Sequence, residues 1–335
     1  MASRLATRTI LALAVGGLTA AALAQSDSAA PVSTLRRVPA ETTAAAYVDK
    51  NWQSPRTSWG HPSFEGAWST DDFRGVPMSR PRDQADRMQL TPEEFATRAQ
   101  GDETGRDFTV NVGTFLRHEF GIRTFGYTSL IVDPPNGQMP ALTPAAQAAA
   151  NARTRSTFGA GPFDSFEDFS LYDRCITRGV LGSLLPVIYG NGLRITQNPE
   201  SVAISYEMIH DTRIIPLDGR SALDDGIRQW MGSARGRFEG DTLVVETTNY
   251  HEAAAYGGAS SALKTVERFT PTGPDTIEWS IRLDDPHTWT RPWSFGMRLT
   301  RDAQSQVFEY ACHEGNEGMR GMLKAARDAE KRETK

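Results

Sequence analysis

The sequence predicts an all-β fold, an antiparallel meander closing into a barrel, and three observations carry that expectation. From about Gly192 onward, apolar and polar residues alternate with period two in one segment after another, the pattern of strands with one buried face. These segments are short and separated by Gly, Asp and Pro turns, as antiparallel hairpins require. No strand–helix–strand rhythm appears, which disfavours a parallel α/β sheet.

At the start of the chain, Arg4 and Arg8 precede the apolar run "TILALAVGGLTAAALA", which ends in the small-residue triplet Ala22-Leu23-Ala24. This reads as a secretory signal peptide over residues 1–24, and it places the mature protein in the periplasm or outside the cell. The run is too rich in Ala and Gly for a membrane span, and no later segment approaches about 18 consecutive apolar residues. The formal net charge is −5, and loss of the leader with its two Arg leaves −7. With no basic tract, neither a nucleic-acid partner nor a membrane surface is expected, and a small molecule is the expected partner.

Residues 25–60 are rich in Ala, Ser, Thr and Pro and read as an extended arm. A single β-barrel domain is expected over 61–320, with a polar, helix-bearing insertion at about 80–165 and a polar helix or tail at 321–335. In the insertion, Thr91-Pro92-Glu93-Glu94 and Thr143-Pro144 each carry a capping Thr followed by a first-turn Pro, the start signal of a helix.

The strand faces follow in order. Val202, Ile204, Tyr206, Met208 and His210 fall in phase, as do Ile277, Trp279, Ile281 and Leu283, then Trp293, Phe295, Met297 and Leu299. "DTLVVETTNY" follows the turn Glu239-Gly240-Asp241, and "VFEYACHE" is expected to supply the last strand. Near the start of the domain, Gly66-Ala67-Trp68 resembles the G-x-W that opens the first strand of lipocalin-like barrels. That resemblance implies a calycin-like barrel with an interior wide enough for one small ligand. Cys175 and Cys312 are the only cysteines, and an even count in an exported chain points to a disulfide between them.

The segments "IVDPPNGQMPALTP", "HDTRIIPLDGR", "RGRFEGDTLVVETTNY", "ERFT", "DDPHTWTRPW" and "YACHEGN", in this order, resemble an uncharacterised family of exported bacterial proteins from about Gly126 to Met319. The resemblance implies a common fold and an exported setting, and it brings no activity with it.

The chemistry is therefore read from the residues. There is no G-x-S-x-G elbow, P-loop or dinucleotide fingerprint, so a cofactor is not expected. His-Glu occurs at His118-Glu119, His251-Glu252 and His313-Glu314, yet none continues to H-E-x-x-H. A metal ion held by His and carboxylates from separate strands, and with it a metal-dependent hydrolase, stays open as an alternative.

His210, at the end of an apolar face, is the candidate general base, with Asp211 to orient its ring and His313 and Tyr250 as acid–base partners. The plainer reading of His210 is a core histidine satisfied by a carbonyl or a carboxylate. Trp230, Arg235 and Tyr206 are candidate substrate contacts by stacking and anion binding, and Trp289, Arg291 and Trp293 form a candidate aromatic subsite. Trp289, Arg291 and Trp293 read equally as a ladder joining two strands.

The resulting functional expectation is a cofactor-free enzyme of lyase, isomerase or hydrolase type, acting by acid–base chemistry on a small aromatic or carbohydrate-derived compound. A non-catalytic ligand-binding barrel is the alternative, since a pocket serves either class.

Overall fold

The structure is a computed structural model that describes residues 52–84, 87–112, 121–152, 163–301 and 306–333. The expected leader and the arm up to residue 51 lie outside the described residues.

Alternation becomes strand wherever one face can be buried. The strands are β1 Gly66–Ser69, β2 Ile131–Asp133, β3 Gly192–Asn198, β4 Ser201–Tyr206, β5 Thr212–Pro216, β6 Ser233–Glu239, β7 Thr242–Thr248, β8 Lys264–Gly273, β9 Thr276–Asp284 and β10 Trp293–Thr300. In β4, Val202, Ile204 and Tyr206 are buried while Ala203 and Ser205 are half-exposed, and β9 buries Ile277, Trp279, Ile281 and Leu283 in the same way. The two faces contribute to one apolar core, so the period of two seen in sequence is the period of burial.

The strands form one antiparallel sheet in the order β5-β4-β3-β1-β10-β9-β8-β7-β6, with β2 also paired to β10. Two meanders, β3 to β5 and β6 to β10, are thus joined through β1, which pairs along its length with β3 and at Ser69 with Thr300. The G-x-W strand sits in the middle of the sheet and does not close its outer edges, a placement that only long-range pairing decides.

The sheet curls strongly but is not closed into a barrel. Arg213 of β5 donates to Thr247 of β7 at 2.9 Å and pairs with Glu267 of β8, although five strands separate β5 from β8 in the sheet order. No ladder joins the edge strands β5 and β6. They meet through side chains instead, and a Cβ on Gly236 of β6 would stand 2.7 Å from Ile215 Cγ2 of β5. The interior is filled by core side chains such as Trp279, Phe269 and Tyr206.

Helices decorate this sheet. α1, Pro92–Val112, opens on a reciprocal cap: Glu94 N–H donates to Thr91 Oγ1 at 3.3 Å and Thr91 N–H donates to Glu94 Oε2 at 2.8 Å. α2, Pro144–Asn151, is capped by Thr143, whose hydroxyl accepts from Ala146 N–H at 3.2 Å. α3 is the single turn Gly179–Gly182, and α4 spans Glu317–Glu333, opening before the expected position 321.

Two expectations are corrected. The β4 strand ends at Tyr206, because Tyr206 N–H bonds the Asp211 carbonyl at 2.9 Å and Ile209 and His210 take left-handed φ values of 63° and 45°. This turn rotates His210 out of phase, so Met208 and Ile209 are buried and His210 is exposed. The segment "VFEYACHE" forms no strand. Phe308 N–H is taken by the Glu207 carboxylate at 3.1 Å, and Cys312 turns back to bond the Tyr310 carbonyl at 2.9 Å. A disulfide from Cys312 to Cys175, with Cα atoms 5.9 Å apart at a sequence separation of 137, draws the segment across the surface instead of along a sheet edge.

Candidate functional site

The segment around residues 163–178 and the loop 250–259 face each other across a groove, and short-range chemistry shapes both sides. Ser170 and Asp173 form a small knot: the Ser170 hydroxyl donates to Asp173 Oδ2 at 2.7 Å, and Asp173 N–H donates back to Ser170 Oγ at 3.2 Å. Gly179, at φ +67°, passes so close to the loop that a Cβ would lie 2.8 Å from the Ala254 carbonyl oxygen. On the other side, His251 Nδ1 accepts from Ala253 N–H at 3.2 Å, and the neutral ring therefore carries its proton on Nε2. Gln229 and residues 249 and 251 exchange backbone bonds of 3.0 and 2.9 Å, which holds Trp230 beside His251 with ring centroids 4.4 Å apart.

Two cavities open along this groove. One, of about 640 Å³, is lined by Glu167, Arg174, Trp230, His251 and Glu252. The other, of about 670 Å³, is lined by Tyr172, Thr177, Arg178, Tyr189, Met208 and Tyr256. Ser170, Leu171, Ala253 and Ala255 line both, so the two are compartments of one groove with an apolar waist. Its walls differ in chemistry: a stacked aromatic pair with acidic groups and Arg174 at one end, and tyrosines around Arg178 at the other.

The tyrosine end is braced by the disulfide. Tyr172 and Tyr310 hydroxyls approach to 3.4 Å, the Tyr189 and Tyr310 rings stack at 6.4 Å, and Arg178 lies over the Tyr172 ring at 5.2 Å. Burial pushes the phenols of Tyr189 and Tyr310 up and pulls the Arg178 guanidinium below its ordinary value.

The candidate residues read from sequence fall into three places. Trp230 alone lines the groove, 39% exposed. His210 is exposed and its Nδ1 meets the Tyr310 carbonyl at 3.2 Å, while His313 is exposed in the turn after the disulfide; neither lines either cavity. Asp211 accepts from the Thr177 hydroxyl at 2.6 Å, away from the His210 ring it was expected to orient. His210 and His313 thus lie outside both cavities, and the turn at 207–211 is what carries the His210 ring to the surface.

Tyr250 and Tyr206 belong to the interior. Tyr250 is 2% exposed, shares a 2.7 Å hydrogen bond with Thr265, and burial pushes its phenol up to about 12. Tyr206 is equally buried, and burial pushes its phenol up. Beside them lies the Arg213–Glu267 pair, with Trp279 Nε1 donating to Glu267 Oε1 at 3.2 Å. Trp289 and Trp293 are also core, packed edge to face at 5.5 Å, and Arg291 between them in sequence turns outward to Asp133 at 3.0 Å. Arg235 spends its guanidinium on backbone carbonyls, including that of Ser221 at 2.8 Å.

Sequence reasoning missed Tyr172, Arg178, Tyr189 and Tyr256, which sit in irregular segments without a period. For Tyr172 and Arg178 the available signal was proximity to Cys175: a bridge inferred from sequence brings "LYDRCITRG" against "YACHEGN". Among the described residues no group of three His, Cys, Asp or Glu side chains is placed to hold a metal ion, and no helix is long and apolar enough to cross a membrane. Comparison with protein-family models, with curated proteins and with solved structures gives no match to this chain.

Proposed function

We propose that the protein is an exported binder of a small organic molecule, taken up in the groove between residues 170–178 and 253–257. The observation that carries this reading is the continuity of two cavities of about 640 and 670 Å³ through a shared apolar waist, with aromatic rings at both ends. A few charged groups set among aromatic and apolar walls are the usual make-up of a ligand site. The Cys175–Cys312 bridge supports the exported setting, periplasmic or secreted, and so does the resemblance of the quoted motifs to exported bacterial proteins. A lipocalin-like kinship of the fold is part of the same proposal, supported by the Gly66-Ala67-Trp68 strand and by the close approach of β5 and β6.

The test is a ligand-observed magnetic resonance screen of aromatic and carbohydrate fragments, with binding assigned through Leu171→Trp, which fills the waist. Fragments that bind wild type and lose affinity in the variant support the groove. Hits indifferent to the substitution place the ligand elsewhere and overturn it.

Acid–base turnover in the same groove is the second reading, and His251 favours it. Of the described histidines, His251 alone lines either cavity; its Nδ1 is occupied by Ala253 N–H, and Trp230 packs on its ring. In that reading the proton passes at Nε2, with Glu252 or Glu167 on the same wall as partner. It predicts that a turned-over ligand loses reaction and keeps binding in His251→Gln.

A further inference from the structure

The buried and half-buried arginines differ in what answers them. Arg213 pairs with Glu267, Arg123 with Asp72 and Asp275, and Arg298 with Glu278. Arg98 gives Nη1 to the carbonyls of Phe125 and Tyr127 at 2.9 and 2.5 Å. Arg178 has none of these. Its contacts are the Met208 thioether, 3.0 Å from Nη1, and the face of Tyr172, and no carboxylate pairs with it among the described residues. A sulfur and a ring face are weak acceptors for a guanidinium with five donors, so charge-assisted bonding capacity is left over inside a cavity.

We infer that the groove takes a small organic acid, its oxyanion against the Arg178 guanidinium and its apolar or aromatic body along Leu171 and Ala255 toward Trp230. The inference rests on the groove being the ligand site and adds the class of ligand. The geometry fits on three counts. The half-buried guanidinium lines the cavity of about 670 Å³, where the tyrosines add neutral hydroxyl donors and no competing anion. Burial holds the guanidinium below its ordinary value, the mark of a cation short of a counter-charge. The apolar waist then lies between this anchor and the Trp230–His251 pair, which offers a flat surface for a ring.

The experiment compares matched acids and primary amides on the full chain by calorimetry at fixed ionic strength: 3-phenylpropionate with 3-phenylpropionamide, hexanoate with hexanamide, and inorganic phosphate as a bodiless oxyanion. Each acid binds about tenfold or more tighter than its amide, since a hydrogen bond to a charged partner outweighs a neutral one by about that factor. Phosphate competes weakly. Arg178→Met abolishes the preference, costing the acid about tenfold or more and the amide much less, while Arg178→Lys keeps part of the preference. The acid–amide comparison on wild type needs no variant, so a misfolded Arg178→Met leaves the test intact. Equal binding of acid and amide, or a preference that survives Arg178→Met, overturns the organic-acid inference while the groove stands. Phosphate matching the acids overturns the role of the body. No binding by either member of any pair overturns the groove reading and this inference with it.

Discussion

Replacing Glu267 by leucine removes one half of the Arg213–Glu267 pair, whose side chains are 2% and 0% exposed. The remaining guanidinium keeps Thr247 as acceptor at 2.9 Å, while its Nε and Nη1 already lack partners. Trp279 Nε1–H loses its acceptor, the sole one among the described residues. Breaking a buried pair from one side costs about 3–5 kcal/mol, because the surviving charge has no water to turn to. An orphaned indole N–H adds about 1 kcal/mol or more, so the expected loss is roughly 4–6 kcal/mol. Equilibrium urea unfolding followed by tryptophan fluorescence, under oxidising conditions, reads this directly. The double replacement Arg213→Met with Glu267→Leu is expected to recover at least about 2 kcal/mol of the loss, since a matched apolar pair carries no stranded charge. A single-variant loss under about 1 kcal/mol, or a double variant equal to the sum of its singles, would refute the claim that this pair is a coupled element of the core.

Tyr250→Phe tests the alkaline side. The phenol is raised from 10 to about 12 in the fold, so between those values the unfolded chain releases its proton first and stability falls with rising pH, by up to about 1.4 kcal/mol per unit. Urea midpoints at pH 8 and pH 11 should therefore drop less for the variant than for wild type; equal drops would show that Tyr250 is not the group responsible. Cys312→Ser opens the 137-residue loop, for which chain entropy gives roughly 4–5 kcal/mol, and an unfolding free energy within about 1 kcal/mol of wild type would contradict that role. Gly179→Ala combines a left-handed φ of +67° with a 2.8 Å approach to the Ala254 carbonyl, and a loss of about 1–3 kcal/mol with weakened ligand binding is expected. A neutral Gly179→Ala would mean that the groove floor yields.

Strand positions were legible because burial writes itself into the period: Ile277, Trp279, Ile281 and Leu283 all point into the core that their spacing announces. The disulfide was legible for a similar reason, since two cysteines leave a single pairing. Strand order was not, because β1 contacts β3 across 122 residues or more and nothing local records that pairing. Nor was the fate of His210. A strand continued for four more residues and a turn with left-handed Ile209 and His210 share the same side-chain pattern, and backbone hydrogen bonds such as Tyr206 N–H to the Asp211 carbonyl separate them. The groove was the least legible part, because its walls are loops whose residues obey no repeat; Trp230 was found through its chemistry and Arg178 was not found at all.

Two of the motifs that carry the family resemblance, one of them the segment of the candidate base His210, find a use in the core. "HDTRIIPLDGR" supplies Arg213 and "ERFT" supplies Glu267, and the two meet across the interior from opposite halves of the sheet. A closed barrel joins its first and last strands by a hydrogen-bonded ladder. Here β5 and β6 share none, and the ion pair, the Arg213–Thr247 hydrogen bond and the packing of Ile215 against Gly236 hold the curled sheet together instead. A polar centre of this kind fixes which strands face each other, something apolar contacts alone do poorly, because a guanidinium has a fork to satisfy and a leucine has none. It also accounts for the position of the candidate site. With the interior occupied by Trp279, Phe269, Tyr206, Tyr250 and the ion pair, the space for a ligand lies outside the sheet, under the loops that Gly179 and the disulfide hold in place.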